Sequence, residues 1–241
     1  MLNSYEEKIE QLATTGIDYC IVLDFTVELS LYSAKNFISH ILAEKLQIKA
    51  LLIGYDHRFG HDRKEGFPQY VTYGRESDMD VIQALPYDQG NTVVSSSEVR
   101  RLLSDGEVQK AKSLLTYPYE LKGRIVKGHQ VGRTLGFPTA NIALDDRNKI
   151  LPQAGVYAVW VRLLGKRYKG MLSIGNRPTL DDGDNQSIEV NILNFSGDIY
   201  QQDISVFFIE KVRDNHKFHS LEELKAQLEA DQIQVDLILV E

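Results

Sequence analysis

The second half of the chain is a succession of β-rich runs that follow one another closely. Short turn signals, such as Leu164-Gly-Lys-Arg167 and Phe195-Ser-Gly-Asp198, separate them. Strands joined by tight turns pair in antiparallel fashion, and such a sheet loses its exposed edges when it closes. The runs are 119–126, 155–164, 168–174, 187–193 and 204–212, and a helix at 220–229 follows. We therefore expect a small antiparallel β-barrel with a C-terminal helix.

In the first half, short apolar runs alternate with helical patterns. The apolar runs at 17–23 and 49–54 are nearly continuous, which is typical of strands covered on both faces. A helix capped by Ser33 lies between them, so the sheet is expected to be parallel and Rossmann-like. A further strand is predicted at 81–85, and helices are predicted at 4–12, at 34–46, from Ser95 onward and at 106–115. The change of pattern near Tyr117-Pro118 predicts two domains, 1–117 and 118–241.

Composition and charge narrow the class of protein. The 241 residues include 43% hydrophobic and 25% charged residues, which are globular values and exclude a disordered chain or a fibre. A formal net charge of −7 argues against a nucleic-acid partner bound on a broad basic face. Cys20, the single cysteine, is predicted to be buried in the run 17–23, and a lone thiol suits a reducing compartment. With no apolar run of about 20 residues, we expect a cytoplasmic protein without a membrane partner.

The stretch 127–141, KGHQVGRTLGFPTAN, carries the strongest signal for a site. Its glycines let the backbone turn tightly and present N–H groups, and its basic side chains add positive charge, which together predict a phosphate-binding loop. Thr139 and Asn141 lie two residues apart on an extended segment and offer oxygen ligands to a Mg²⁺ ion bound to nucleotide phosphates. The alternative is a hairpin loop that ends in a strand and binds nothing.

A second signal lies in the run 187–193, SIEVNIL. Alternation places Ser187, Glu189 and Asn191 on one face of a strand. On an ordinary exposed strand, Glu189 is only a solvated carboxylate. In a closed barrel beside a phosphate-binding loop, the same carboxylate is able to accept a proton from a substrate hydroxyl. The pattern alone leaves both interpretations open.

These motifs resemble the riboflavin kinase family. The resemblance rests on GRTLGFPTAN at 132–141, GVY at 155–157, SIGNRPT at 173–179 and IEV at 188–190, and it covers about 118–233. It implies a barrel that transfers a phosphoryl group from ATP to the 5′-hydroxyl of riboflavin, with Mg²⁺ as cofactor and FMN as product. It implies that Glu189 is the base, that Arg213 lies near the flavin, and that ATP is bound by Gly128, Gly132, Arg133, Gly136, Thr139 and Asn141, the last two also facing the metal.

The first half resembles the adenylyltransferase module of the bacterial bifunctional riboflavin kinase/FAD synthetase family. The segments GYDHRFG at 54–60 and VSSSEVR at 94–100 carry this resemblance. It implies nucleotide or flavin contacts at Gly54, Asp56, Phe59 and Gly60, and phosphate contacts at Ser96, Ser97 and Arg100. The family's opening segment, G-x-F-D-G-x-H-x-G-H, is not found in this sequence. His57 and His61 lie in a different loop and are expected to face solvent or to stabilise that loop.

The absence of that segment predicts an incomplete sheet with an unpaired edge, which would favour self-association. The expected fold is therefore an incomplete α/β Rossmann-like nucleotidyltransferase module followed by an antiparallel β-barrel riboflavin kinase domain with a C-terminal helix. The primary hypothesis for function is an ATP-dependent riboflavin kinase whose adenylyltransferase module is not expected to act. Two alternatives stay open: a bifunctional enzyme that also makes FAD, and a flavin- or nucleotide-binding protein without catalysis.

Overall fold

The computed structural model describes residues 1–86, 94–128, 135–176 and 186–240. The chain divides into two compact units. The barrel unit comprises Met1–Thr14 and Ser95–Glu241, and the α/β unit comprises Thr15–Val94. This division is based on contacts between residues and groups the first helix with the barrel. The predicted boundary near residue 117 separates two sequence modules instead, and it stays a prediction.

The described residues form seven α-helices and eight strands. The helices are α1 (Tyr5–Ala13), α2 (Val27–Ser30), α3 (Ala34–Asn36), α4 (Phe67–Glu76), α5 (Ser96–Ser104), α6 (Val108–Leu115) and α7 (Leu221–Ile238), and a π-helical stretch, Phe37–Lys45, continues α3. The strands are β1 (Ala50–Ile53), β2 (Asp80–Gln83), β3 (Glu120–Val126), β4 (Thr139–Leu144), β5 (Gly155–Leu163), β6 (Lys166–Asn176), β7 (Gln186–Ile192) and β8 (Asp203–Arg213). None of the described helices has both the length and the apolar character that crossing a membrane requires.

Strands β3 to β8 close into an antiparallel barrel in the order β3-β4-β7-β6-β5-β8. Each strand is therefore hydrogen-bonded on both sides, and its alternate residues fill the interior. Leu121, Ile142, Val159, Leu172 and Val206 belong to this core. The predicted antiparallel barrel is confirmed. Its strand β4 was not among the predicted β-rich runs, because it begins inside the glycine-rich motif, where Thr139 and Asn141 interrupt the apolar residues.

The C-terminal helix α7 covers part of the outer surface of the barrel. Val235 and Leu239 pack with Val156, Ala158 and Met171, which point outward from β5 and β6. The helix begins after Ser220, whose hydroxyl accepts a hydrogen bond from the Glu223 backbone, as the sequence pattern predicts. It continues to Ile238 rather than ending at 229, because the added turns contain no glycine or proline and bury apolar side chains on the barrel.

Helix α1 is tied to the barrel unit by a buried ion pair. Ser4 caps the helix, and Glu7 completes a capping box. The Glu7 carboxylate also pairs with the Lys149 ammonium, which donates to the Leu2 carbonyl at 2.7 Å. The same ammonium lies 4.9 Å from the ring centroid of Tyr119. Burial lowers the pKa of Lys149, although Glu7 opposes that effect, and burial raises the pKa of the Tyr119 hydroxyl.

The α/β unit is built on a two-stranded parallel sheet. Strand β1 pairs with β2 from Ala50↔Asp80 to Ile53↔Gln83, and α4 connects them, so the predicted parallel arrangement is confirmed. The core of this unit includes Ile38, Tyr70 and Met79.

The strand predicted at 17–23 is wrong: those residues have no regular secondary structure, and Tyr19 is 89% exposed. The predicted burial of Cys20 is wrong for the same reason, since its side chain is exposed. An apolar run becomes a buried strand only where a neighbouring strand offers hydrogen bonds and a layer covers it, and the described residues offer this segment neither.

Candidate active site

Two strands bring polar side chains together on the outer face of the barrel. Strand β4 pairs with β7 so that Asn141 lies opposite Glu189 and Thr139 lies opposite Asn191. The residues that alternate with them belong to the barrel core, so these four side chains point outward. The structure therefore brings together Thr139, Asn141 and Glu189, the residues that the sequence predicted for metal-nucleotide binding and for proton transfer.

A hydrogen bond joins the two central side chains of this face. The Thr139 hydroxyl donates to Oε2 of Glu189 at 3.1 Å. Both residues are half-buried, so the carboxylate is held in place and still open to a substrate. A general base needs both properties, because proton transfer requires hydrogen-bonding distance to the substrate hydroxyl.

Two asparagines flank this pair and are almost completely buried. Asn141 is 4% exposed and Asn191 is 5% exposed. The Asn191 side-chain amide donates to the Pro138 carbonyl at 2.7 Å, which fixes the backbone just before Thr139. The alternating pattern placed Asn191 beside Glu189, but only the tertiary structure shows that it holds the motif segment.

Two of the predicted glycines lie beside this face. Gly128 follows β3, and a Cβ atom built on it would lie 1.9 Å from Nδ2 of Asn141. Only glycine leaves room for that amide. Gly136 has a φ of +86°, in the left-handed region that favours glycine. The predicted ATP-binding residues Gly132 and Arg133 lie outside the described residues.

A cavity of about 650 Å³ lies beside Thr139, against residues of β3, β4 and β7 that belong to the barrel core. Thr139 contributes to its wall, together with Ile125 and Val190 from neighbouring strands. The connection between β7 and β8 supplies Phe195 and Asp198. The volume is that of an ordinary small-molecule pocket, and its wall combines apolar surface with a few polar groups.

Strand register relates Glu189 to Arg213 around the barrel. Glu189 pairs with Ser173, Ser173 with Val156, and Val156 with Arg213. Directly paired residues share a face, and neighbouring strands lie about 4.8 Å apart. Arg213 therefore lies three strands from Glu189 around the six-stranded barrel.

Arg213 is already engaged by other side chains. Its Nε lies 2.9 Å from both carboxylate oxygens of Asp231, and its Nη2 lies 2.8 Å from Oδ2. Nη1 donates to the Asp214 carbonyl at 3.1 Å. Sequence reasoning missed Asp231 because it lies beyond the predicted end of the C-terminal helix, and because no local pattern relates it to Arg213.

The predicted adenylyltransferase residues fall into both compact units. In the α/β unit, Gly54 follows β1 and Gly60 has a φ of +85°. The Phe59 ring stacks on Phe37 with centroids 5.6 Å apart, whereas Asp56 is exposed. These loop residues lie beside a cavity of about 630 Å³ whose lining combines aromatic and basic side chains, including Phe25, Phe59, His57, Arg58 and His61.

The remaining predicted adenylyltransferase residues belong to the barrel unit. Ser96, Ser97 and Arg100 lie in the first turns of α5, which begins after the predicted cap Ser95. Arg100 donates from Nη1 to the Ser96 hydroxyl at 3.1 Å. This group and the loop at 54–60 thus belong to different compact units.

The fold and the site define the class of protein. The family model described as riboflavin kinase matches residues 115–239, which include the whole barrel, and the model described as FAD synthetase matches residues 1–98. The chain belongs to the riboflavin kinase family and is an ATP-dependent phosphotransferase.

Characterised relatives narrow the class further. The chain is 39% identical to the bifunctional riboflavin kinase/FMN adenylyltransferase of Escherichia coli strain K12 over 233 residues, which cover 96% of this chain and 74% of the relative. It is 35% identical to the protein of the same name from Listeria monocytogenes, with 96% and 73% covered. A structure titled crystal structure of macrolide-efflux protein from Streptococcus pneumoniae matches 98% of this chain and 75% of its own, with a TM-score of 0.88 and 33% identity.

Proposed function

We propose that the barrel unit transfers the γ-phosphoryl group of ATP to the 5′-hydroxyl of riboflavin and releases FMN and ADP. The observation that carries this proposal is the hydrogen bond between Thr139 and Glu189 on the outer face of a barrel of the riboflavin kinase family. One strand offers the oxygen ligands for a metal-nucleotide complex, and the next offers the base. The two reactants would meet where these strands pair.

ATP binds at the β4 end of the site in this proposal. The cavity beside Thr139 has apolar walls at Ile125, Val190 and Phe195, which suit the flat face of a nucleotide base. Gly136 has open space where a side chain would lie, so its backbone N–H is free to approach a phosphate. Gly132 and Arg133 would complete the phosphate-binding loop that the sequence predicts.

Mg²⁺ fits this site as a partner of the nucleotide. Thr139 Oγ1 and Asn141 Oδ1 are hard oxygen donors of the kind that Mg²⁺ accepts, but both are neutral. The described residues contain no group of three or more His, Cys, Asp or Glu side chains able to hold a metal ion. ATP would therefore supply most of the negative charge, and Thr139 and Asn141 would orient the complex. When bound, the ion neutralises charge that develops on the phosphates.

Glu189 acts as the general base in this mechanism. The riboflavin 5′-hydroxyl gives its proton to the Glu189 carboxylate as its oxygen bonds to the γ-phosphorus, and the bond from that phosphorus to the bridging oxygen of ADP breaks. The Thr139 hydrogen bond keeps Glu189 aimed at the face where ATP binds. Phosphoryl transfer depends mainly on positioning and charge neutralisation, so the base contributes about 10²–10⁴-fold to the rate.

The flavin would extend from Glu189 along β6 toward the segment that follows Arg213, in which Asn215 donates to the Ile174 carbonyl of β6 at 2.7 Å. Ser173 is the paired neighbour of Glu189 on that side and is half-buried. Its small side chain leaves room beside the Glu189 carboxylate. The ribityl chain would lie over Ser173 with its 5′-hydroxyl at Glu189, and the ring system would approach Arg213.

Transfer of an adenylyl group to FMN is the second candidate function. The FAD synthetase model matches residues 1–98, and the cavity of the α/β unit offers aromatic surface beside basic groups. An aromatic anion such as FMN has that chemistry. Gly54, Asp56, Phe59 and Gly60 of the α/β unit would serve this reaction.

The proposal includes two further properties of the protein, self-association and location. Leu52 on β1 and Ile82 on β2 are 66% and 52% exposed, so the small sheet is a surface for self-association. We assign the protein to the cytoplasm, because an exposed lone thiol such as Cys20 suits a reducing compartment.

A product assay tests the proposal. The purified chain is incubated with riboflavin and Mg²⁺-ATP, and riboflavin, FMN, FAD and ADP are separated by chromatography. The proposal predicts that one ADP forms for each FMN. FAD and pyrophosphate as further products would establish the second candidate. Flavin binding without any ADP or FMN would overturn the kinase and leave a binding protein.

A further inference from the structure

The barrel-facing side of α7 carries a buried carboxylate that the proposed reaction does not use. Asp231 is 1% exposed and lies among the apolar contacts between the helix and the barrel. Its two oxygens accept hydrogen bonds from Arg213, and Oδ1 also accepts one from the Gln227 side chain at 2.7 Å. A fully buried carboxylate is costly unless it is paired, and here the pair connects α7 to the end of β8.

The connection fixes the chain that follows β8. We call residues 214–218 the strap. Arg213 holds its first residue, because Nη1 donates to the Asp214 carbonyl at 3.1 Å. Lys211 pairs with the Asp214 carboxylate at 2.5 Å and lowers the pKa of that carboxyl group. Asn215 donates from its side chain to the Ile174 carbonyl at 2.7 Å, which joins the strap to β6.

The strap borders the part of the site assigned to riboflavin. Ile174 directly follows Ser173, which pairs with Glu189. The strap also carries two aromatic rings, His216 and Phe218, whose centroids lie 4.2 Å apart. The Arg213 guanidinium lies 5.7 Å from the Phe218 ring centroid and 3.3 Å from Nδ1 of His216, so the same side chain that binds Asp231 also contacts both rings.

We propose that Asp231 is a positioning residue for flavin binding, which acts by holding Arg213 and, through Arg213, the strap. The proposal rests on the proposed kinase function, because it takes the Arg213 end of the site as the flavin end. Without the Asp231 carboxylate, Arg213 is free to turn toward solvent and the strap loses its attachment to α7. Riboflavin affinity should then fall, whereas the ATP end of the site, on β4 and β7, should be unaffected.

The same helix offers a matched control. Asp236 also pairs with a basic side chain on the barrel, Lys169 on β6, at 2.9 Å. That pair lies away from the strap and is half exposed. Asp231→Asn and Asp236→Asn therefore each convert one carboxylate of α7 to an amide of equal size, and only the first should change flavin binding.

The experiment measures the Kd of riboflavin by its fluorescence and the KM of ATP in FMN formation, for the wild type, both variants, Arg213→Gln and the Arg213→Gln/Asp231→Asn double variant. We expect Asp231→Asn to raise the riboflavin Kd about tenfold, with the KM of ATP unchanged. Because Asp231 acts through Arg213, the double variant should bind riboflavin no more weakly than Arg213→Gln alone. Asp236→Asn should match the wild type.

Several results would overturn the positioning role. One is a riboflavin Kd that is unchanged in Asp231→Asn, and another is a set of fully additive effects in the double variant. Equal losses of riboflavin and ATP affinity would show that Asp231 stabilises the fold as a whole and does not position the flavin end of the site. If Asp231→Asn does not fold, Arg213→Lys is measured in its place. Lysine keeps the positive charge opposite Asp231 but cannot bind both carboxylate oxygens and the strap at once. Riboflavin affinity must therefore still fall in this variant. Flavin binding is measured without turnover, so a wild type that binds riboflavin but makes no FMN contradicts the proposed function and leaves this test intact.

Discussion

The barrel and the small parallel sheet both contain apolar strands, but the strands are buried to different extents. In the barrel, each strand has a neighbour on both sides, and Leu172 on β6 is completely buried. In the α/β unit, β1 and β2 pair only with each other among the described residues, and Leu52 on β1 is 66% exposed. The difference shows that an apolar β-prone sequence becomes core only when the sheet around it is complete.

The same difference bears on function. The barrel holds Thr139 and Glu189 on paired strands of a closed sheet, so neither strand can shift without breaking hydrogen bonds on both sides. The loop at 54–60 of the α/β unit follows a strand that has one neighbour. We therefore expect the barrel to keep its site geometry under conditions in which the α/β unit opens.

The largest expected effect on stability comes from the ion pair that fixes α1 to the barrel unit. Glu7→Gln leaves the buried Lys149 ammonium without its partner carboxylate, which should cost about 3–5 kcal/mol in the free energy of unfolding. Hydrogen exchange resolved by segment measures the effect in each unit. Protection should fall in the barrel strands and stay unchanged in β1 and β2. An equal loss of hydrogen-exchange protection in both units would contradict the view that the two units are stabilised independently.

A pair of core truncations compares the two sheets directly. Leu172→Ala opens a cavity in the completely buried barrel interior and should cost about 2–5 kcal/mol. Leu52→Ala removes a side chain that is mostly exposed, so its effect should stay within about 0.5 kcal/mol. Denaturant unfolding of the two variants measures both values. Equal costs would mean that Leu52 is covered in solution, as it would be in a self-associated form.

The smallest effect on stability is expected from adding one methyl group beside the site. Gly128→Ala places a Cβ against the Asn141 amide and should displace it, which should raise the KM of ATP about tenfold with little change in stability. Gly66→Ala in the α/β unit is the control, since its added Cβ would meet nothing nearer than 3.9 Å. Steady-state kinetics compare the two variants. An unchanged KM in Gly128→Ala would show that the position of Asn141 does not matter for ATP.

The sequence predicted the placement of the central side chains of the candidate site and less of the surrounding structure. Alternation along 187–193 and the two-residue spacing of Thr139 and Asn141 are local patterns, and they placed those side chains on one face as the structure has them. The pairing of Arg213 with Asp231 joins distant elements, so no local pattern contains it. The apolar run at 17–23 misled the prediction because its strand-like composition does not depend on whether a partner strand is available.

Single-turnover kinetics of Glu189→Gln test the central claim most directly. The glutamine can still accept the hydrogen bond from Thr139 but cannot accept a proton from riboflavin. Asp203→Asn, which alters another strand carboxylate that pairs with Arg124 at 3.3 Å, is the matched control. With enzyme in excess over riboflavin, the account predicts that Glu189→Gln slows FMN formation by about 10²–10⁴-fold and that Asp203→Asn keeps the wild-type rate. A wild-type rate in Glu189→Gln would contradict the claim that phosphoryl transfer takes place between β4 and β7.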